Sequence, residues 1–468
     1  MLKDDYIFAP HQEEGHALLE KNQCNALFWD MGTFKTSTII GHVERSRHNY
    51  KHVLIVVLKD NLKTWNDELN DRLTEADHTI LPHTLATRKK AIKNYITEGS
   101  TKYLVVNYDC IRSDHLYDML RGKAQGFDLI VFDECYALHN TQAARNKRWY
   151  NIRTKIPRCT IMDGDPTAEG EEKLFGMYKM MDMGRTFGTQ YWPFMEKYFV
   201  RIDDTFWQPG RYTLQQINAV LRETSMRVHK KDVLPWLPPV VYETRMLDMS
   251  SQQKKMYNQM TKEFAVELSD GDILEVDYKI AQIQKLRQLT GGFMYVPDAP
   301  PMKIPNAKLS TAREVMRQNK KLVVWAQYRE ELDMLHEMSK MMGRKPVVYH
   351  GGVTGKDKDI AKEAFKSDDS INDFIGQVDC GIGMNELVVS GTALYYSRSD
   401  KRRSRSQSVA RLDRPGQKHD KVTIIDIVCH STIDESNYKR LKKKGKRSEM
   451  LLNYNDHQQL IGALRGRL

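Results

Sequence analysis

The sequence predicts an α/β protein with two parallel-sheet domains and a helical bridge between them, and three observations carry that expectation. Short apolar runs alternate with helical patterns between residues 26 and 162. A second such set recurs between residues 322 and 428. Between the two sets the pattern turns helical and rich in methionine. Continuous apolar runs bounded by polar segments suit parallel strands covered on both faces.

In the first set, Ala26 to Trp29, Val53 to Leu58, Tyr103 to Val106, Leu129 to Phe132 and Thr160 to Met162 read as buried strands. In the second, the strands are Leu322 to Trp325, Val347 to Tyr349, Asp373 to Ile375, Ala393 to Tyr396 and Val422 to Val428. Helical patterns fill Leu174 to Met183 and Gln252 to Leu268. The stretch from Val296 through Pro305 holds too many prolines for a regular helix or central strand. These features divide the chain into a first lobe at 1–245 with a helical insertion near 170–225, a helical bridge and Pro-rich linker at 246–305, and a second lobe at 306–468 ending in a basic tail.

A chain of 468 residues is too long for one ordinary core. No stretch approaches the roughly 20 apolar residues that cross a bilayer, which argues against a membrane partner. The start, Met1-Leu2-Lys3-Asp4-Asp5, lacks an apolar signal region, so a cytoplasmic location is expected. Six scattered cysteines with no Cys-x-x-Cys pair disfavour a disulfide framework or a zinc module. The net charge of +11 gathers in patches, Lys401-Arg402-Arg403 with Arg405 and Lys439 to Arg447. Such patches attract polyanions by counterion release, although a solvated surface has the same composition.

Chemistry first shows in Trp29-Asp30-Met31-Gly32-Thr33-Phe34-Lys35-Thr36, after a strand and before the helical run Thr38-Ile39-Ile40. In a phosphate-binding loop, glycines let backbone N–H groups approach phosphate oxygens, a lysine reaches the β/γ-phosphates and a Ser/Thr hydroxyl holds magnesium. Gly32, Thr33, Lys35 and Thr36 fit that outline. Alone the string also arises by chance. Asp133-Glu134 follows the apolar run Leu129 to Phe132 and can support magnesium and activate water, though an acidic strand end is also a common loop opening. Gln407 to Lys418 holds a pair of arginines, Arg411 and Arg414, which can present planar cations to phosphate charge or form an ordinary surface pair on a helix.

The form Gln…Arg-x-x-Arg-x-Gly-Gln, Gln407 to Gln417, resembles the arginine-finger motif of superfamily 2 helicase-like ATPases, specifically the Swi/Snf-like branch. Other segments fall in that family's order. Phe8 to Gln12 looks like its adenine-reading segment. Val53 to Val57 with Trp65 and Glu68, then Val106-Asn107-Tyr108, look like its DNA-strand motifs. Asp163 to Thr167 occupies the coupling motif. Val228 to Val233, Leu286 to Phe293, Trp325 to Tyr328, Tyr349 to Gly352, Gly381 to Asn385 and Thr432 to Glu435 continue the series. The compact length is similar to phage or bacterial members.

The resemblance implies two RecA-like lobes, with ATP and magnesium as cofactors and duplex DNA as partner. It assigns Gln12 to adenine, Lys35, Asp133, Glu134, Arg411 and Arg414 to catalysis, Thr36 and Asp133 to magnesium. Lys59, Asn107, Tyr108, Gly351, Gly352, Lys401, Arg402 and Arg403 are the expected nucleic-acid contacts. Protein partners are not indicated. The expected function is an ATP-dependent double-stranded DNA translocase or helicase-like enzyme; the alternative is a hydrolysis-deficient DNA-binding or partner-binding protein of the same fold.

Departures from the family pattern cluster at the coupling elements. Phe34 replaces the glycine before Lys35, costing roughly 1–2 kcal/mol if that position needs a positive φ. Tyr136 replaces a histidine, and Glu386 enters an apolar or small position. Asp163 and Asp165 replace small hydroxyl residues; a carboxylate about 4 Å from a γ-phosphate would repel it by about 4 kcal/mol at an effective dielectric near 20. A slow or altered ATPase is the expectation these changes favour over an inactive one.

Overall fold

The computed structural model describes all residues except 1, 4–6, 76, 83–84, 99–101, 204–206, 270–275, 354, 381–383 and 453–468. The chain forms two compact units, Met1–Pro235 with Gly445–Leu468, and Trp236–Lys444. The first unit therefore ends earlier than the expected residue 245, and the described residues from Gly445 onward group with it rather than with the second unit.

The first unit carries strands β1 (Cys24–Trp29), β2 (Val53–Val57), β3 (His78–Ile80), β4 (Tyr103–Asn107), β5 (Leu129–Asp133), β6 (Arg158–Met162), β7 (Phe199–Arg201), β8 (Trp207–Pro209) and β9 (Ser225–Val228). Seven of them form one sheet in the order β3-β4-β2-β5-β6-β1-β9, and every pairing in it is parallel. β1, β2, β4 and β5 are buried at every position, as continuous apolar runs between two helical layers should be. One core lies on each face of this sheet. The first gathers Phe28, Leu54, Val106, Phe132 and Trp149, the second Trp29, Ile40, Ile55, Trp65 and Val131. The expected helical insertion contains helices Leu174–Asp182, Tyr191–Tyr198 and Thr213–Leu221, interrupted by the antiparallel pair β7–β8.

The second unit carries β10 (Val240–Leu247), β11 (Phe293–Met294), β12 (Met302–Lys303), β13 (Leu322–Ala326), β14 (Pro346–Tyr349), β15 (Asp373–Gln377), β16 (Thr392–Tyr395) and β17 (Val422–Cys429). Its six-stranded sheet runs β10-β17-β16-β13-β15-β14, again all parallel. β10 pairs with β17 along its whole length, so the residues around 245 belong to the second sheet rather than to the first lobe. The proline-rich segment contributes only β12, which pairs antiparallel with β11 just before it. No helix among the described residues is long and apolar enough to cross a membrane, and all six cysteines are free.

Candidate active site

In open parallel sheets, ligands gather outside the carboxyl ends of the strands. β5, β6 and β1 are adjacent in the first sheet, and their carboxyl ends lead to Asp133-Glu134, Asp163 and the Gly32–Thr36 loop respectively. Three stretches far apart in sequence therefore meet at one rim.

The loop after β1 folds as its glycine chemistry demands. Gly32 has φ 82° and Phe34 has φ 68°, ψ 28°. The position before Lys35 is thus left-handed, and a phenylalanine holds it at the cost anticipated for a non-glycine residue, roughly 1–2 kcal/mol. Helix α1 (Pro10–Lys21) and helix α2 (Lys35–Arg45) flank the loop. The Phe34 carbonyl accepts from Thr38 N (3.0 Å), Ser37 Oγ (2.9 Å) and Thr38 Oγ1 (2.8 Å), which fastens the loop to the first turn of α2. Thr33 is buried and donates its hydroxyl to Asp30 O at 2.7 Å. Thr36 is part-exposed at the start of α2.

Lys35 Nζ donates to the carbonyls of Trp29 (2.7 Å) and Asp30 (3.1 Å). Burial pushes its pKa below the ordinary lysine value, and the charges of Glu134, Asp133, Asp163 and Asp30 act against that shift. The ammonium therefore stands in the field of the acidic pair at β5 and of Asp163.

Asp133 is buried and closely held. Its Oδ2 accepts from Trp65 Nε1 (3.0 Å) and Asn61 Nδ2 (3.4 Å), and its Oδ1 accepts from the Glu134 amide (3.0 Å). Burial raises its pKa, while Trp65, Lys35 and Asn61 pull it back. Glu134 is part-exposed, with φ 53° in the left-handed region. Non-glycine residues in that region concentrate at sites where the surroundings over-determine the backbone.

Asp163 is fully buried, and both its oxygens face backbone donors. Oδ2 accepts from Tyr136 N at 3.0 Å and Oδ1 from Asp165 N at 2.9 Å. The carboxylate thus joins the loop after β5 to the loop after β6, which gives it a positioning part that its identity alone did not suggest. Asp165 accepts from Ser448 Oγ at 2.6 Å, and Ser448 also pairs with Thr167 Oγ1 at 2.7 Å, within the first unit. Asp163→Ala leaves two backbone amides without their acceptor. It is expected to cost about 3 kcal/mol of unfolding free energy, as loss of hydrogen bonds to a charged group does; urea unfolding measures this, and a loss below about 1 kcal/mol would mean water replaces the carboxylate.

Gln12 is buried. Its Oε1 accepts from Ala9 N at 3.1 Å, and its Nε2 donates to Ser37 Oγ (3.3 Å) and Thr38 Oγ1 (3.1 Å), so the side chain spans from the start of α1 to the first turn of α2. Sequence reasoning missed a second fastening. Arg227 on β9 donates to Asp30 Oδ1 (2.5 Å), Phe28 O (2.6 Å) and Gly164 O (2.9 Å), joining the loops after β1 and β6. Asn61 was likewise missed, and Trp65 was read only as part of a DNA-strand motif. No local pattern marks any of the three as a partner of Asp30 or Asp133.

In the second unit, Arg411 and Arg414 come together on one carbonyl. Arg411 Nη1 donates to Met384 O at 3.3 Å and Arg414 Nη1 to the same oxygen at 3.4 Å, while Arg414 also bonds Asn385 Oδ1. Gly381, Ile382 and Gly383 of that segment lie outside the described residues.

The expected nucleic-acid contacts divide. Lys59, Gly351, Gly352 and Lys401 are exposed, and Arg402 and Arg403 part-exposed. Asn107 and Tyr108 are not surface residues. Tyr108 is 1% exposed, stacks against Phe132 and donates its hydroxyl to Asp133 O at 2.8 Å; Asn107 is 4% exposed. The Tyr108 side chain packs in the core under the acidic pair and Asn107 is buried beside it in sequence, which is at odds with the expectation of direct contact. Arg405, read with the basic run, instead pairs with buried Asp426 at 2.7 Å and lies 3.6 Å from the centroid of the Tyr395 ring.

An uncharacterized ATP-dependent helicase of Mycoplasma genitalium is 21% identical over 89% of this chain and 39% of its own length. A putative protein p41 of Acyrthosiphon pisum secondary endosymbiont phage 1 is 22% identical over 90% of this chain and 93% of its own. The chain spans two-fifths or less of the first curated relatives it matches. A solved Sulfolobus solfataricus SWI2/SNF2 ATPase core in complex with dsDNA aligns over 98% of this chain and 99% of that chain, at 16% identity and a TM-score of 0.44. The SNF2-related domain matches residues 11–292, more than half of the sequence, and the chain belongs to that family of helicase-like ATPases.

Proposed function

We propose that the chain is an ATP-dependent motor on double-stranded DNA, with turnover slowed by its altered phosphate loop. The observation that carries the reading is the meeting of Lys35, Asp133, Glu134 and Asp163 at the carboxyl ends of three adjacent strands, with Lys35 in the field of the carboxylates. A lysine, a hydroxyl and paired carboxylates at the end of a parallel sheet are the parts that phosphoryl transfer uses. The Thr36 hydroxyl and the Asp133 carboxylate are hard oxygen donors and fit magnesium, which would neutralise charge on the transferred phosphoryl group. Lys35 binds the terminal phosphates, Glu134 orients water, and Gln12 fixes the adenine end through the α1–α2 contact. Arg411 and Arg414 are the proposed cations for transition-state charge. Exposed Lys59 in the first unit, and exposed Lys401 with part-exposed Arg402 and Arg403 in the second, each offer cations that a polyanion partner can use. Relatives named as DNA helicases are why that partner is read as DNA, and the resemblance of the motifs to duplex-DNA translocases is why it is read as duplex.

Hydrolysis measured with no nucleic acid, with duplex DNA and with structured RNA at matched salt tests the reading. Stimulation by duplex DNA is expected. Absence of hydrolysis in every condition would leave a binding protein, and equal stimulation by RNA would remove the DNA assignment.

Phe34 decides how much activity remains. Phe34→Gly and Phe34→Ala both remove the ring, so both are expected to tighten ATP binding by about tenfold, the worth of one recovered charge-assisted hydrogen bond. Only glycine also relieves the left-handed backbone, so Phe34→Gly is expected to be more stable than Phe34→Ala by about 1 kcal/mol. Nucleotide titration and thermal unfolding read the two effects separately. Unchanged affinity in both variants would show that the ring lies clear of the phosphates.

A further inference from the structure

Away from the phosphate loop, the packing of α1 against α2 brings together three side chains that the ATPase reading does not use. His16 and Glu20 lie one helical turn apart on α1, a spacing that puts them on one face. His42 on α2 faces them and is buried. The Nδ1 atoms of His16 and His42 are 2.9 Å apart, and one ligand atom from each of His16, Glu20 and His42 lies within 4.8 Å of the others. The two rings meet edge to face, with centroids 5.0 Å apart.

The surroundings hold these groups as metal ligands are held. His42 Nε2 and the Tyr50 hydroxyl are 2.8 Å apart; with the ring donating there, the Nδ1 lone pair faces His16. The Ser46 hydroxyl donates to the Glu20 carboxylate and fixes its direction. Outer partners of this kind set the tautomer and orientation of ligating imidazoles and carboxylates. Tetrahedral zinc with Zn–N bonds of about 2.0–2.1 Å separates two ligand nitrogens by roughly 3.3 Å. The present spacing of 2.9 Å is about 0.4 Å short of that value.

We infer that His16, Glu20 and His42 form a divalent transition-metal site of the zinc class, clasping α1 to α2 and keeping one coordination position for water. Two imidazoles and one carboxylate suit zinc, cobalt or nickel, whereas magnesium and calcium prefer all-oxygen sets. The site would tie the helix that carries Gln12 to the helix that begins with Lys35. It stands independently of whether the chain hydrolyses ATP.

The full chain, stripped with a chelator, is titrated with zinc without nucleotide or magnesium, and with cobalt as a spectroscopic probe. One saturable equivalent is expected, with the visible absorption of tetrahedral cobalt and a rise in Tm of roughly 5 °C at a hundredfold excess over Kd. His16→Ala and Glu20→Gln are each expected to weaken zinc affinity at least about tenfold and to abolish the Tm shift. Glu20 is exposed, so its glutamine variant keeps the fold and serves as the control for a His16 variant that does not. Zinc binding unchanged in folded Glu20→Gln and His16→Ala would place the metal elsewhere and overturn the site. So would the absence of a saturable equivalent in the parent, which leaves an ordinary hydrogen-bonded histidine pair.

Discussion

Lys35→Ala is expected to lower kcat/KM for ATP by about 10²–10³-fold, the usual effect of deleting one preorganised donor from a site where negative charge develops. The structure supplies the reason. Lys35 Nζ rests on the Trp29 and Asp30 carbonyls at 2.7 and 3.1 Å, poised at the mouth of the loop. The charges that favour its protonated form come from Glu134, Asp133, Asp163 and Asp30 in that order of size. A phosphate chain arriving at this rim meets several carboxylates and one ammonium. Without the ammonium, the carboxylates repel one another and the nucleotide together. Both affinity and kcat should therefore fall, rather than KM alone. Lys35→Arg keeps the charge but replaces a compact ammonium with a planar fork, so it should restore part of the binding and little of the rate. Steady-state hydrolysis with titration of a fluorescent nucleotide measures both. Parent-like hydrolysis in Lys35→Ala would move the site elsewhere in the chain.

The elements that were legible in the sequence are those with both faces covered. β2 is Val-Leu-Ile-Val-Val, buried throughout, and its apolar run cannot be mistaken for a surface segment. The missed strands lie at sheet edges, where one side lacks a neighbour and the composition relaxes. β3 is His-Thr-Ile, β9 is Ser-Met-Arg-Val, and β10 carries the polar run Glu243-Thr244-Arg245 and exposes Tyr242. Because β10 resembles a polar connector, the boundary expected at 245 fell inside it.

The candidate site divides the same way. Gly32, Lys35, Thr36, Asp133 and Glu134 form short local strings whose chemistry shows in the letters. Their supports do not: Trp65 reaches Asp133 across 68 positions, Asn61 across 72, and Arg227 reaches Asp30 across 197. Only the sheet order brings them together. Tyr108 shows the opposite error. Its place after β4 matches a DNA-strand motif, yet position in a motif does not say which way a side chain turns, and this one turns inward to hold the Asp133 carbonyl. Asp163 was read as a charge opposed to phosphate; its oxygens are instead taken by two backbone amides. The departures from the family pattern thus include one strained position, Phe34, and one satisfied position, Asp163.

Glu134→Gln should separate binding from chemistry. Asp133 and Glu134 are adjacent but differently placed. Asp133 is buried and held by Trp65, Asn61 and the Glu134 amide, the condition of a fixed support. Glu134 is part-exposed and set in the left-handed region at φ 53°, which turns the chain sharply at the end of β5. Strain of order 1–3 kcal/mol persists where the site requires it. If Glu134 orients and activates the attacking water, glutamine keeps its size and removes its basicity, and kcat should fall by about 10²–10⁴-fold. KM should hold or decrease, because one negative charge near the phosphates is gone and an interaction made only in the transition state has been lost. Asp133→Asn should instead weaken magnesium-dependent binding, since it removes the carboxylate charge. Opposite KM responses in the two variants would assign water to Glu134 and the metal to Asp133. Should Glu134→Gln turn over within about threefold of the parent, well short of the usual general-base effect, the role must pass to another group at the same rim. Asp163, with both oxygens already bonded to backbone amides, is poorly placed to take it.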